Sequence, residues 1–326
     1  MNKSTKYILY LLGGLVSLAA IVAVLISLKI IPNPFFMMPP LQDTKWIKTQ
    51  YHDLAYANTS AAQKLDLYVP NEGKGPYPVI VAIHGGAFLF GDKGDGQQNG
   101  PIAGVKRGYA VAAVNYRLAG EAAFPAGVQD VKAAIRFLKA NAARFNIDPN
   151  RVVAWGDSAG GYMAVMAGVT GTQASEFDDA QLGNIDQTST VQAVVDWFGP
   201  IDFAQMDAQL TASGKGEANH SAADSPESKF LASTVKSAPP ELLRKANPLS
   251  YLSGNLPAFI IQHGDADGTV PTQQSIVLAE KLKPVLSAQK LQLNILPGAR
   301  HGDPQFETEQ NLNTVFSFLD QAFYLK

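Results

Sequence analysis

Short, apolar-dominated runs recur along the chain at residues 79–84, 109–115, 152–156, 191–198, 257–262 and 293–296, and each reads as a buried strand. Helical stretches lie between them. Val128, Val131, Ile135 and Leu138 recur at helical spacing within 128–145 and predict one sheet-facing stripe. Residues 159–169 are rich in Ala, Met and Gly and predict a tightly packed helix. Nearer the start, 46–57 and 63–69 alternate apolar with polar positions and predict an opening antiparallel hairpin. Strands that alternate with helices imply an α/β fold, with a mostly parallel central sheet and helices on both faces. Its site belongs at the carboxyl ends of the strands. The pattern lapses between 199 and 252, where 203–245 mixes Ser, Asp and Lys among helix formers. That stretch predicts a small insertion over the site at about 200–250, with a solvated helical excursion as its rival.

The first 44 residues follow a different pattern. Lys3 and Lys6 precede residues 7–28, which contain no charged side chain. As a helix this run is roughly 33 Å long, enough to cross a bilayer. The preceding lysines favour a cytoplasmic start with the rest of the chain exported. The expectation is a signal anchor at 1–31, so that a transmembrane helix ties the protein to a membrane. A cleaved signal peptide is the rival, although no small-x-small site follows the run. Pro32, Pro34, Pro39 and Pro40 then predict a stiff stalk over 32–44, leaving 45–326 as the main folded domain.

The most specific chemistry lies at Gly156-Asp157-Ser158-Ala159-Gly160, a Gly-x-Ser-x-Gly motif between a predicted strand and a predicted helix. A serine there sits on a sharp turn with its hydroxyl pushed outward. The first amides of the next helix, unsatisfied and at the positive end of its dipole, lie beside it. His84-Gly85-Gly86-Ala87-Phe88 follows another strand. Glycines at a strand's end let backbone amides turn into a site. The amides of Gly86, Ala87 and Ala159 are the candidate oxyanion hole, and His84 is expected to order the loop.

A serine hydroxyl needs an imidazole to take its proton and a carboxylate to orient that imidazole. Of the five histidines, His52 is in an N-terminal segment, His84 in the glycine turn, His220 in the polar insertion and His263 at a strand end before the acid. Only His301 follows the acid on a post-strand loop, so it is the expected base. Two carboxylates follow the strand at 257–262. Asp265 lies at the strand's end and is suited to capping the turn. Asp267 lies further out, where it can reach His301, and is the expected acid. Asp130, inside a helix, is expected to make a buried structural hydrogen bond. Phe88, Phe90, Trp197 and Phe198 lie near strand ends, where core packing is the commoner fate of aromatics.

On these residues the chain resembles an α/β-hydrolase, and within that fold the carboxylesterases near the hormone-sensitive lipase group. It is most similar to the bifunctional feruloyl and acetylxylan esterase-like family. Besides the motifs above, the resemblance rests on Asn115-Tyr116-Arg117-Leu118, Phe124-Pro125-Ala126, Asp148-Pro149-Asn150-Arg151 and Asp267 with Val270-Pro271, and it runs from about Lys45 to the C-terminus. The lipase group usually has a third glycine where this chain has Ala87. The resemblance implies hydrolysis of carboxylic esters with short or aromatic acyl groups, on small molecules or plant polysaccharide, and it implies a lid role for the cap. It calls for no cofactor and no metal.

Composition narrows the field. The chain has 326 residues, a formal charge of −2 and no cysteine. It is long enough for one large α/β domain. Near-neutral charge without a basic patch argues against nucleic acid as a partner. Without cysteine, disulfides, thiolate metal sites and a cysteine nucleophile are excluded. Three rivals remain. A peptidase or amidase on this fold often carries a larger specificity domain. A silent, membrane-tethered binding protein predicts a damaged triad. A metal hydrolase would draw on His263, Asp265 and Asp303, which are few ligands for a metal.

Overall fold

The structure, a computed structural model, describes residues 41–172 and 175–323. The expected anchor at 1–31 and most of the stalk lie outside the described residues. Among the described residues, no helix is long and apolar enough to cross a membrane. The end of the expected stalk is corrected by the structure: Leu41 N–H donates to the Gly94 carbonyl at 2.9 Å, and Gln42 N–H donates to Asn99 Oδ1 at 2.9 Å. Leu41 also packs against the core, so the domain takes in residue 41 and does not begin at 45.

Eight strands form one sheet: β1 (Thr49–Ala55), β2 (Lys64–Val69), β3 (Tyr77–Ile83), β4 (Ala110–Val114), β5 (Ile147–Asp157), β6 (Ala193–Trp197), β7 (Ala258–Gly264) and β8 (Leu291–Leu296). Their order is β1-β2-β4-β3-β5-β6-β7-β8. β1 and β2 form the expected antiparallel hairpin, and β2 also runs antiparallel to β4. All other pairs are parallel. β5 starts earlier than its apolar run because Ile147 pairs with Tyr77 before the register shifts and Val152 meets Val79.

The α-helices are α1 (Asn99–Ile102), α2 (Ala126–Ala140), α3 (Ala142–Phe145), α4 (Ala159–Thr170), α5 (Met206–Ser213), α6 (Pro226–Leu231), α7 (Pro240–Ala246), α8 (Gln273–Leu282) and α9 (Glu309–Ala322). They cover both faces of the sheet. On β3, Val79, Val81 and Ile83 join one core cluster with the Val128, Val131, Ile135 and Leu138 stripe of α2. Ile80 and Ala82, pointing the other way, join a second cluster with Val315, Phe316 and Leu319 of α9. The helix expected over 128–145 is two helices. They break at Asn141, whose side-chain amide donates back to the Phe137 carbonyl at 2.9 Å. Asp130 is buried as expected, accepting from Gln63 Nε2 at 2.8 Å and pairing with Arg117 at 2.8 Å.

Helices α5 to α7 make up the predicted insertion, and it is no solvated excursion. Phe203, Met206, Phe230, Leu231 and Val235 are all buried in the first core cluster. Each such side chain contributes about 1.5–3 kcal/mol by leaving water. Phe230 stacks on Phe88 with ring centroids 4.1 Å apart, so the insertion packs on the segment that follows Ala87.

Candidate active site

Four loops meet at the carboxyl edge of the sheet, after β3, β5, β7 and β8. The loop after β5 is shaped by exclusion. Ser158 has φ +53° and ψ −120°, a conformation that costs an L-residue of order 1–3 kcal/mol. Neighbouring backbone enforces it. A Cβ on Gly156 would lie 2.2 Å from the Gly160 carbonyl, and one on Gly160 would lie 2.1 Å from the Ile83 carbonyl. Ser158 N–H donates to the Trp197 carbonyl at 2.8 Å, which ties the turn to β6.

The imidazole of His301 reaches this serine from the loop after β8. Its Nε2 lies 3.0 Å from Ser158 Oγ and its Nδ1 lies 2.7 Å from Asp267 Oδ2. The structure therefore brings together the hydroxyl, the imidazole and the carboxylate that the sequence singled out. Phe198 stands edge-on to the His301 ring at 4.7 Å, itself at φ +44°, and packs in the core as expected for such an aromatic.

Asp267 is 1% exposed, and the loop around it is built to keep it charged. Its Oδ1 accepts from Thr269 N–H at 2.8 Å and from Val270 N–H at 2.9 Å. Its Oδ2 lies 3.2 Å from His263 Nε2 in addition to His301. Burial pushes the carboxyl's pKa up, but hydrogen bonds from His263 and His301 outweigh that and hold it well below the usual carboxylate range. Asp265 has a different task. It accepts from Gly298 N–H at 2.7 Å and so fastens the turn that leads to His301. His263, set aside in the sequence for its place before the acid, is fully buried between Ser275 Oγ at 2.7 Å and the Val270 carbonyl at 2.9 Å. No spacing rule flags it, because its partners come from the loop it precedes and from α8.

The loop after β3 folds against the nucleophile. Gly86, Ala87 and Phe88 have φ of +105°, +53° and +62°. Ala87 thus holds a left-handed conformation that suits glycine better than alanine. A Cβ on Gly85 would fall 3.2 Å from Ser158 Cβ, so this loop lies directly beside the serine. Gly85 N–H is occupied, donating to Gln97 Oε1 at 2.7 Å and Asp157 Oδ1 at 3.1 Å. The amides of Gly86, Ala87 and Ala159 have no acceptor among the described residues. His84 orders the loop from beneath. It is buried, stacks on Tyr116 at 4.5 Å, and its Nδ1 lies 2.8 Å from the Gly85 carbonyl. Burial lowers its pKa, so it stays neutral. Asp157 is pushed up to about 7 by burial, against the pull of Gly85 N–H, with Glu307 and Asp95 adding repulsion.

The residues weighed for metal chemistry serve elsewhere: Asp303 caps the turn at Pro304–Glu307 through Gln305 N–H, and His263 and Asp265 are engaged as described. Among the described residues, no group of three or more His, Cys, Asp or Glu side chains converges as ligands would.

Known proteins match this arrangement. The BD-FAE family model matches residues 65–282. Esterase LipC of Mycobacterium tuberculosis is 30% identical over 250 residues, covering 76% of this chain and 59% of its own length. The probable carboxylic ester hydrolase LipM of the same organism is 27% identical, covering 76% and 55%. This chain thus spans a little over half the length of these curated relatives. Among solved structures, a truncated carbohydrate esterase from gut microbiota has a TM-score of 0.75 at 30% identity, covering 88% of this chain and all of that one, 100%. A bifunctional GH43-CE protein of Bacteroides eggerthii has a TM-score of 0.72 at 32% identity, covering 84% and 35%. With its sheet order, its strained serine turn and a family match over most of its length, the chain belongs to the BD-FAE family and has the α/β-hydrolase fold.

Proposed function

We propose that this protein is a serine carboxylesterase acting through an acyl-enzyme, with Ser158 as nucleophile, His301 as general base and Asp267 as the acid that orients it. One observation carries the reading: an unbroken relay from Asp267 through His301 to Ser158, at 2.7 and 3.0 Å. Ser158 Oγ attacks the ester carbonyl carbon while His301 Nε2 takes its proton. The carbonyl oxygen becomes an oxyanion held by the Gly86, Ala87 and Ala159 amides. The C–O bond to the alcohol breaks, and His301 returns the proton to the departing oxygen. A water, deprotonated by the same imidazole, then attacks the acyl-serine; the bond to Ser158 Oγ breaks, His301 returns the proton to that oxygen, and the acid is released.

The substrates proposed are short-chain or aromatic acyl esters, including esters on carbohydrate. Support for the carbohydrate comes from the carbohydrate esterase named above, whose chain is matched in full by 88% of this one. The test is a panel of acetyl, butyryl, long-chain and feruloyl esters with a matching acetanilide, run on the protein and on Ser158→Ala. Short and feruloyl esters should turn over fastest, and the variant should lose about 10⁶ in rate. Comparable turnover by Ser158→Ala, or a preference for the anilide, would sink the proposal.

A further inference from the structure

The cap insertion reaches the acid loop at a second place, away from Phe88. Residues 215–220 run against 265–269: Lys215 Nζ donates to the Asp265 carbonyl, and a Cβ on Gly216 would lie only 1.9 Å from the Gly268 carbonyl. His220 closes this contact. Its Nδ1 lies 2.9 Å from Glu227 Oε1 and its Nε2 lies 2.8 Å from the Thr269 carbonyl. Both partners can only accept when Glu227 is ionised, so the ring bonds both only with a proton on each nitrogen. His220 and Glu227 are both buried, and Glu227 Oε2 has no partner among the described residues. The imidazolium is therefore the group that satisfies this carboxylate.

The Thr269 carbonyl belongs to the same peptide unit as the Val270 N–H, and that N–H donates to Asp267 Oδ1 at 2.9 Å. A donor on one side of the peptide fixes the direction of the donor on its other side. We propose that His220 is a positioning residue for the ester reaction: clasped between Glu227 and the Thr269 carbonyl, it fixes the peptide that holds Asp267 against His301. This rests on the triad reading above and extends it to the cap, which thereby sets the geometry of the acid.

The charged groups facing His220 are Glu227 on α6 and Asp207 on α5, whose carboxylate accepts the His220 and Ser221 amides. Asp267 stands behind the Thr269–Val270 peptide. Burial works against the imidazolium, but Glu227, the Thr269 carbonyl and Asp207 outweigh it and raise its pKa above the usual histidine value. The clasp is thus intact below that raised value and loosens as pH rises through it.

The test uses the full chain and two variants, His220→Ala and Glu227→Gln, the second nearly isosteric so that folding is kept. Two readouts are followed against pH: kcat and KM on 4-nitrophenyl acetate, and the rate at which a fluorophosphonate labels Ser158. In His220→Ala both kcat and labelling should slow by about tenfold or more, towards the hundredfold that an ångström of misplacement costs, with KM held within about twofold. In Glu227→Gln the alkaline limb of kcat should move to lower pH, because the imidazolium has lost its counter-charge. Unchanged labelling in folded His220→Ala, or a Glu227→Gln profile that overlays the parent's, overturns the positioning role alone. If His220→Ala does not fold, the Glu227→Gln profile decides. A parent protein whose Ser158 never takes the label overturns the hydrolase reading itself, and this role with it.

Discussion

The turn that carries Ser158 and the loop that carries Asp267 deliver their side chains to opposite nitrogens of one imidazole, and they hold them by different means. The serine turn is held by exclusion: Gly156, Gly160 and the Ile83 carbonyl leave no room for another backbone path. The constraint is local apart from its seat against β3 and the Ser158 N–H bond to the Trp197 carbonyl at the end of β6. The acid loop is held by hydrogen bonds. Amides from Thr269 and Val270, the ring of His263 from β7, and His220 and Lys215 from the cap all converge on this stretch. A strained turn can thus be specified by a few small residues, whereas a charged side chain under near-complete burial needs donors gathered from several elements.

The sharpest way to break this comparison is to remove the charge from each carboxylate of the acid loop. Asp267→Asn should lower kcat by about 10⁴, because the amide favours the wrong imidazole tautomer. Asp265→Asn keeps an acceptor for Gly298 N–H and should stay within about tenfold of the parent. Steady-state kinetics on one ester reads both, and the reverse order would reassign the acid.

A milder break targets the serine turn. Gly160→Ala places a methyl 2.1 Å from the Ile83 carbonyl, so the backbone itself must move. Thermal unfolding should register a loss of at least the ~1–3 kcal/mol typical of overpacking, with activity falling alongside. A variant as stable and active as its parent would show that the turn is not set by exclusion.

The smallest effect sharpens the contrast through pH. Asp157, next to the serine, has its pKa raised from 3.8 to about 7, so the folded state holds its proton more tightly than the unfolded chain does. Its contribution is fully present below the unfolded value and is lost as pH rises through about 7. Asp157→Asn removes this dependence while keeping an acceptor for Gly85 N–H. Denaturant unfolding of the variant should therefore fall less between pH 4 and pH 7 than that of the parent, and parallel curves would contradict the assignment.

Much of this architecture is legible in the chain. The apolar runs locate the central strands because parallel strands covered on both faces must be apolar throughout. Gly-x-Ser-x-Gly marks the turn because only small neighbours fit it. The order of serine, acid and histidine at strand ends leaves one base, His301, and favours one acid, Asp267. The break of the long helix at Asn141, the early start of β5 and the tie of Leu41 to Gly94 were not legible, since each depends on a partner remote in sequence or on a side chain turned back on its own helix.

The sequence alone thus determined the fold class and singled out the serine, histidine and aspartate that the structure brings together, because strand periodicity, small-residue sterics and the order of strand-end residues are all written in the chain. Tertiary structure decided how the acid is held and that the insertion belongs to the core. Phe230 on Phe88 and His220 on Thr269 join residues that no window contains. Such contacts exist only once the sheet has brought their loops to one edge.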